Sequence, residues 1–245
     1  FCPRPADILA LADDLGFGPP TTRAPPLQIL PDSGLAIARM GPARLVAKVG
    51  EIGASYIPAH AHADALSFEL WVGGQRLVVD TGVTQYAEGP RRDWCRSTAA
   101  HNTVTVDDLD SAEVWSSFRV GRRPLTTVRN TAVDPGEVRI TASHDGYAHL
   151  PGSPLHERTW VLGDSSLRIH DRVNGSGKRS VVSRLRLDAE ALRSLRAVVR
   201  SRGRPVRSIG GVWYPTNGVT RSAECFSAGG MVDLPSDTEL ELTWT

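Results

Sequence analysis

Three of the seven histidines lie between positions 60 and 101, and two of them share the pattern His60-Ala61-His62-Ala63-Asp64. In an extended backbone, residues two apart project from one face, with Cα atoms about 7 Å apart at ~3.3 Å per residue. That arrangement suits two metal ligands, or one ligand and one acid–base group. Asp80 follows three apolar residues, Leu77-Val78-Val79, where a carboxylate is locally out of character. His101-Asn102 opens another strand after a polar, Arg-rich loop running from Arg91 to Thr98. His62, Asp80 and His101, with a fourth position for water, make a sound zinc set. The same residues equally describe two strand-capping histidines, an Asp bonded in a turn and a semi-buried histidine. Spacing alone does not choose.

These residues need elements to position them. The first 16 residues read as a helix, with Pro5 in the first turn, Ile8, Leu11 and Leu15 on one face, and Gly16 at its end. Five prolines within 17–32 (Pro19, Pro20, Pro25, Pro26 and Pro31) predict an extended linker. From Ser33 onward the pattern is that of short strands broken by turns. Leu66–Val72 and Gln75–Asp80 flank Gly73-Gly74, a strong hairpin signal. Symmetry about that turn sets Asp80 opposite Ser67. Further strands are expected near 35–40, 43–49, 102–106, 137–143, 158–162, 165–173, 180–187 and 239–244, with a short helix possible over Asp188–Leu195. The expected fold is all-β: a large multi-strand antiparallel β-sandwich over 33–245, behind a helical tail and Pro-rich linker over 1–32.

Composition narrows the function classes. The 245 residues carry 28 Lys+Arg against 27 Asp+Glu, a net charge of +1, which gives no general attraction to nucleic acid. Mean hydropathy is -0.21 and the apolar runs are short, so no membrane-spanning helix is expected. The chain opens Phe1-Cys2-Pro3 without a signal peptide pattern or initiator Met, and reads as a fragment. Three cysteines, Cys2, Cys95 and Cys225, form no CxxC pair. The arginines at 193, 196, 200, 202, 204 and 207 read as a solvated face, and Asp107-Asp108-Leu109-Asp110 as a turn. Of six tryptophans only Trp94, in the polar loop, suggests a sugar platform.

Taken in order, His60-Ala-His62-Ala-Asp64-Ala-Leu66-Ser67-Phe68, Leu77-Val78-Val79-Asp80-Thr81-Gly82, Tyr86, Arg91, Arg96-Ser97-Thr98-Ala99-Ala100-His101-Asn102-Thr103-Val104 and Asp107 resemble the heparinase II/III-like family of polysaccharide lyases. Weaker resemblance continues in His144-Asp145-Gly146-Tyr147, His156-Glu157-Arg158 and Leu167–Asp171. The resemblance implies the β-sandwich part of an enzyme whose α/α toroid domain is absent from this chain. It implies zinc, largely structural, on His62, Asp80 and His101. His60 and Tyr86 fall on catalytic positions, and Arg91, Arg92, Arg96 and Asn102 on substrate-contacting ones. A periplasmic or secreted location follows from the resemblance alone.

Such an enzyme removes the proton beside a uronate carboxylate and expels the 4-linked sugar. It needs a neutraliser for the carboxylate, a base, and an acid for the leaving oxygen. The leading expectation is therefore β-elimination of an acidic polysaccharide by the full-length protein, with the isolated chain inactive because the family's key Tyr comes from the toroid. The alternatives are a metal-stabilised module that binds glycan or holds a partner domain without catalysis, and a metal-assisted hydrolase. The strand near Val182–Leu187 often carries histidine in relatives. Here it has Arg184 and Arg186, a departure that argues against a substrate role for this strand.

Overall fold

Alternation of apolar and polar side chains drives most of the chain into antiparallel strands. The structure, a computed structural model, describes residues 5–18, 24–216 and 218–245. Cys2, Pro19, Pro20 and the start of the expected helix lie outside these residues. The strands in chain order are β1 (Leu27–Leu30), β2 (Leu35–Met40), β3 (Ala43–Lys48), β4 (Phe68–Val72), β5 (Gln75–Val78), β6 (Val104–Val106), β7 (Val114–Trp115), β8 (Arg119–Val120) and β9 (Thr126–Asp134). They continue with β10 (Glu137–His144), β11 (Leu155–Gly163), β12 (Ser166–Asn174), β13 (Lys178–Asp188), β14 (Val198–Arg202), β15 (Val206–Thr216), β16 (Val219–Asp233) and β17 (Ser236–Thr243). Three helices, α1 (Pro5–Asp14), α2 (Pro90–Arg96) and α3 (Ala189–Ser194), complete the regular elements used below.

Two large sheets form the sandwich. The first runs β1-β2-β3-β4-β5-β13-β16-β15, with β6 also paired to β13. The second runs β14-β17-β12-β11-β10-β9. Their inner faces interdigitate through Leu45, Leu70, Leu77, Leu185 and Leu187 from the first sheet and Ile140, Trp160, Leu162, Leu167, Ile169, Leu240 and Leu242 from the second. All are essentially solvent-free. Each such leucine contributes about 1.5–3 kcal/mol on burial, so this interface is what makes the sheets one body. The outer face of the first sheet, not this core, carries the residues singled out for chemistry.

Several expectations change in detail. Leu27–Leu30, expected as linker, pairs with Leu35–Ala38, so the first sheet begins inside the Pro-rich stretch. The helix α1 is present, but Ile8, Leu11 and Leu15 are each more than half exposed and add nothing to the core. The Arg-rich loop contains α2, a seven-residue helix opened by Pro90 at its first turn. The Gly73-Gly74 hairpin forms, with both glycines in the left-handed region the turn demands. A bulge between Leu70 and Trp71 then pairs Leu70 with Val78. The register beyond it is one residue off the symmetric expectation, so Asp80 does not face Ser67. Instead the chain crosses to β13, where Val79 N–H donates to the Arg186 carbonyl at 3.0 Å. The possible helix over Asp188–Leu195 forms as α3, capped by the Asp188 carboxylate.

Candidate active site and metal-ligand cluster

Two segments are sewn side by side to build the site. Thr98 Oγ1 donates to the Ala63 carbonyl and Thr103 Oγ1 to the Ala65 carbonyl, each at 2.7 Å, while Ala63 N–H donates to the Arg96 carbonyl at 2.9 Å. Thr81 Oγ1 donates to the Ala100 carbonyl. These four bonds place His62, Asp80 and His101 together although 39 positions separate them in sequence. His101 Nδ1 lies 2.6 Å from Asp80 Oδ2, and the His62 and His101 ring centroids are 5.2 Å apart.

The protonation states follow from the surroundings. Burial opposes charge on both His101 and Asp80, but their mutual attraction wins. The carboxylate is held well below its usual range and the His101 imidazole is raised. His62 is pushed down to about 3, first by burial and then by the neighbouring His101. It is therefore a neutral imidazole, with one ring nitrogen protonated and a lone pair on the other. Arg92 Nη1 sits 3.3 Å from His62 Nε2, and since a guanidinium only donates, that nitrogen accepts.

His60 sits differently. The backbone over residues 58–60 is a single 3-10 turn, with Ala61 extended behind it. His60 and His62 consequently do not share one extended face: His60 is exposed and His62 buried. The His60 ring stands edge-on to Tyr86 at 5.4 Å and to Phe118 at 6.1 Å, and those two rings stack on each other. The guanidinium of Arg92 lies over both, 5.4 Å and 5.8 Å from their centroids. Arg92 therefore joins the exposed aromatic group to the buried histidines, and its remaining bonds go to the Ser117 carbonyl. Phe118 is a member that the sequence reading did not name.

Other expected substrate contacts prove to be scaffold. Arg96 is buried and donates to the carbonyls of Ala61, Trp115, Ser116 and Arg119, which ties the loop after His60 to the β7–β8 hairpin. Asn102 is equally buried. Its amide donates to the Phe68 and Val79 carbonyls and its oxygen accepts Arg186 N–H, so every polar group is matched. Asn102 keeps no free donor, and Arg96 has four of its five N–H groups committed to the backbone. Arg91 is exposed, on the solvent side of α2.

The fit to a metal ion rests on the donor chemistry. His101 Nε2 is buried without a hydrogen-bond partner, and in the neutral ring, with its proton on Nδ1 toward Asp80, that nitrogen is an orphan that a cation would satisfy. A neutral His62 and an ionised Asp80 have the protonation that a ligand set requires. Among the described residues no three His, Cys, Asp or Glu side chains are already arranged as a cage.

Behind the site stands a second histidine group that sequence hinted at only through fragments. Arg158 pairs with Asp171 through Nε–Oδ1 at 2.6 Å and Nη2–Oδ2 at 2.8 Å, with both residues essentially solvent-free. Its Nη1 reaches the carbonyls of Leu66 and Asn102. Leu66 has φ 58°, a left-handed conformation that costs a residue with a Cβ about 1 kcal/mol, and Arg158 braces it.

Comparison with known proteins agrees with this architecture. Residues 22–244 match the family model for the heparinase II/III-like C-terminal domain. A heparin-sulfate lyase of Bacteroides stercoris is 43% identical over 128 residues, which cover 50% of this chain and 17% of that protein. A heparan sulfate lyase of Pedobacter heparinus superposes over 98% of this chain and 39% of its own, with a TM-score of 0.72 and 14% identity. A heparinase III structure covers 93% of this chain and 38% of its own, with a TM-score of 0.69 and again 14% identity. The chain thus spans well under half the length of these relatives.

Proposed function

The chain belongs to the heparinase II/III-like C-terminal family, and from that premise we propose that it forms the β-sandwich part of a lyase cleaving an acidic, uronate-containing glycan by β-elimination. One observation carries the reading: an exposed imidazole, His60, stands edge-on to the stacked Tyr86 and Phe118, which Arg92 links to the His62–His101–Asp80 cluster. His60 meets the substrate at the uronate, either neutralising its carboxylate or taking the proton of one sugar epimer. The Tyr86 hydroxyl lies in reach of the same surface. Arg92 keeps these rings in place from beneath, and Arg91 offers a cation at the rim. The remaining acid–base groups are assigned to an α/α toroid domain of the full-length protein, which is consistent with a chain spanning 39% of a lyase it resembles. The relatives' chemistry fits a periplasmic or secreted protein, and among the described residues no helix is long and apolar enough to cross a membrane.

His62, Asp80 and His101 would hold a divalent ion, zinc by donor type, whose contribution is a cross-link between the segments carrying them. The chain's own residues do the rest: they orient His60 two positions from His62. The reading is tested by incubating the full-length protein with heparan sulfate and following unsaturated uronate ends by absorbance. Their formation supports the lyase. Saturated ends point to a hydrolase, and binding without cleavage to a non-catalytic module.

A further inference from the structure

Arg186 on β13 is 6% exposed, yet among the described residues no carboxylate lies within ion-pair distance of its guanidinium. Nη1 donates to the Val212 carbonyl at 2.9 Å and meets Cys225 Sγ at 3.1 Å, while Nε is buried without any partner. The acid on the same strand, Asp188, is spent on capping α3 and on Trp213 Nε1. A buried cation without a counter-ion is costly, so such a site is prepared for an anion that arrives.

The surroundings shape a receptacle. Arg186 borders a pocket of about 420 Å³ lined among others by Trp94, Arg184, Ile209, Gly211 and Cys225. The Trp94 ring lies 5.1 Å from the guanidinium carbon and holds it flat from one side. Arg184 adds a second cation whose nearest acid, the well-exposed Asp108, is 3.8 Å away. A Cβ on Gly211 would lie 2.6 Å from Cys225 Sγ and 3.3 Å from Arg186 Nη1, so the bare glycine keeps the floor open. Cross-strand pairing sets Arg186, Cys225 and Ile209 in one row on the outer face of the first sheet. His101 lines the same pocket, which joins it to the site above.

We propose that this pocket is a subsite for an anionic substituent, sulfate or carboxylate, of an acidic saccharide. It rests on the glycan reading of the protein and adds a named receptor for one of the glycan's charges. Planar, two-pronged guanidinium recognition favours such oxyanions, with Arg184 able to share the charge.

Cys225 is a built-in reporter, because an occupant of the pocket covers its thiol. The experiment uses the full-length protein and a heparin tetrasaccharide whose affinity is first measured by calorimetry. N-ethylmaleimide labelling of Cys225 is then read by peptide mass. At about ten times its dissociation constant the tetrasaccharide should slow labelling about tenfold. A desulfated, carboxyl-reduced counterpart should not slow it. Desulfated-only and carboxyl-reduced-only tetrasaccharides reveal which anion is held. Arg186→Gln should abolish protection and weaken binding about tenfold or more. Should that variant not fold, Ile209→Glu places a competing carboxylate at a 70% exposed rim position and should abolish protection in a folded protein. Saccharide binding with Cys225 unprotected overturns the subsite and leaves the glycan reading intact. Protection by inorganic sulfate alone overturns it too, in favour of a free-anion site. No saccharide binding at all overturns both.

Discussion

The two histidine groups of this molecule are built from the same residue types and are opposite in kind. Around Arg158 every polar atom of the histidine chain is matched. Gly146 N–H donates to His144 Nδ1 at 3.0 Å, His144 Nε2 lies 3.1 Å from His156 Nδ1, and His156 Nε2 lies 2.7 Å from Asp171 Oδ1. The backbone N–H can only donate and the carboxylate can only accept, so the direction of the chain is fixed. Each ring carries one proton, on Nε2, and both are neutral. Around His62 the matching is incomplete: His101 Nε2 has no partner, and His60 is in solvent. A completed network leaves nothing to offer a ligand, whereas an incomplete one placed on an outer face does. Arg158 connects the two groups, since it donates to the Leu66 and Asn102 carbonyls on either side of the candidate site.

This contrast can be tested through stability. The largest effect is expected for Asp171→Ala, which strands a fully buried Arg158 charge and should cost about 3–5 kcal/mol in denaturant unfolding. A loss below about 1 kcal/mol would mean the network is not the brace described.

His62→Ala should act through metal. It should reduce the zinc retained by washed protein and lower the melting midpoint, and a chelator should then lower the parent's midpoint but not the variant's. Equal zinc content in both proteins would remove His62 from the ligand set.

Acidification should act on the buried neutral histidines, His62 as well as the His144–His156 pair. Burial first, then the neighbouring His156 imidazole and the Arg158 cation, holds His144 well below its ordinary value, and burial also lowers His156. Below about pH 6.5 the unfolded chain therefore binds protons that the folded one refuses. Stability should fall with pH by about 1.4 kcal/mol per pH unit for each of these histidines, until its folded pKa is reached. Asp171, held low by Arg158 against the effect of burial, adds a loss of the same sign below about pH 4. His144→Gln keeps a donor toward His156 and should shallow the slope between pH 6.5 and 5. An unchanged slope would mean that His144 is already protonated in the fold.

The sequence revealed some of this because its local signals were unambiguous. Gly73-Gly74 between alternating strands has one good solution, and the His-x-His, Asp80 and His101 set is legible as a set through the family resemblance. The bulge at Leu70 was not legible, and it moved Asp80 by one register step. The long β15–β16 ribbon was missed because Gly210, Gly211, Gly229 and Gly230 and its many exposed polar residues break the apolar alternation that marks a half-buried strand. The helix α2 is seven residues, too short for a period, though Pro90 was a usable start signal. Arg96 and Asn102 look like ligand-binding side chains by type. Only the carbonyls they meet show that they are structural. Arg186 is the converse: nothing in the sequence says which acid a cation will find, or that it will find none.

The smallest stability effect should come from His60→Ala, within about 0.5 kcal/mol, because an exposed ring carries little packing. Its effect on chemistry makes it the most direct test of the account. The measurement is the rate at which full-length protein forms unsaturated uronate ends from heparan sulfate, for the parent and for His60→Ala, once both have been shown to melt alike. The account predicts a loss of about 10²-fold, roughly 2.7 kcal/mol of transition-state stabilisation. A folded His60→Ala protein that keeps the parent's rate, or a parent that releases no unsaturated ends, would contradict it.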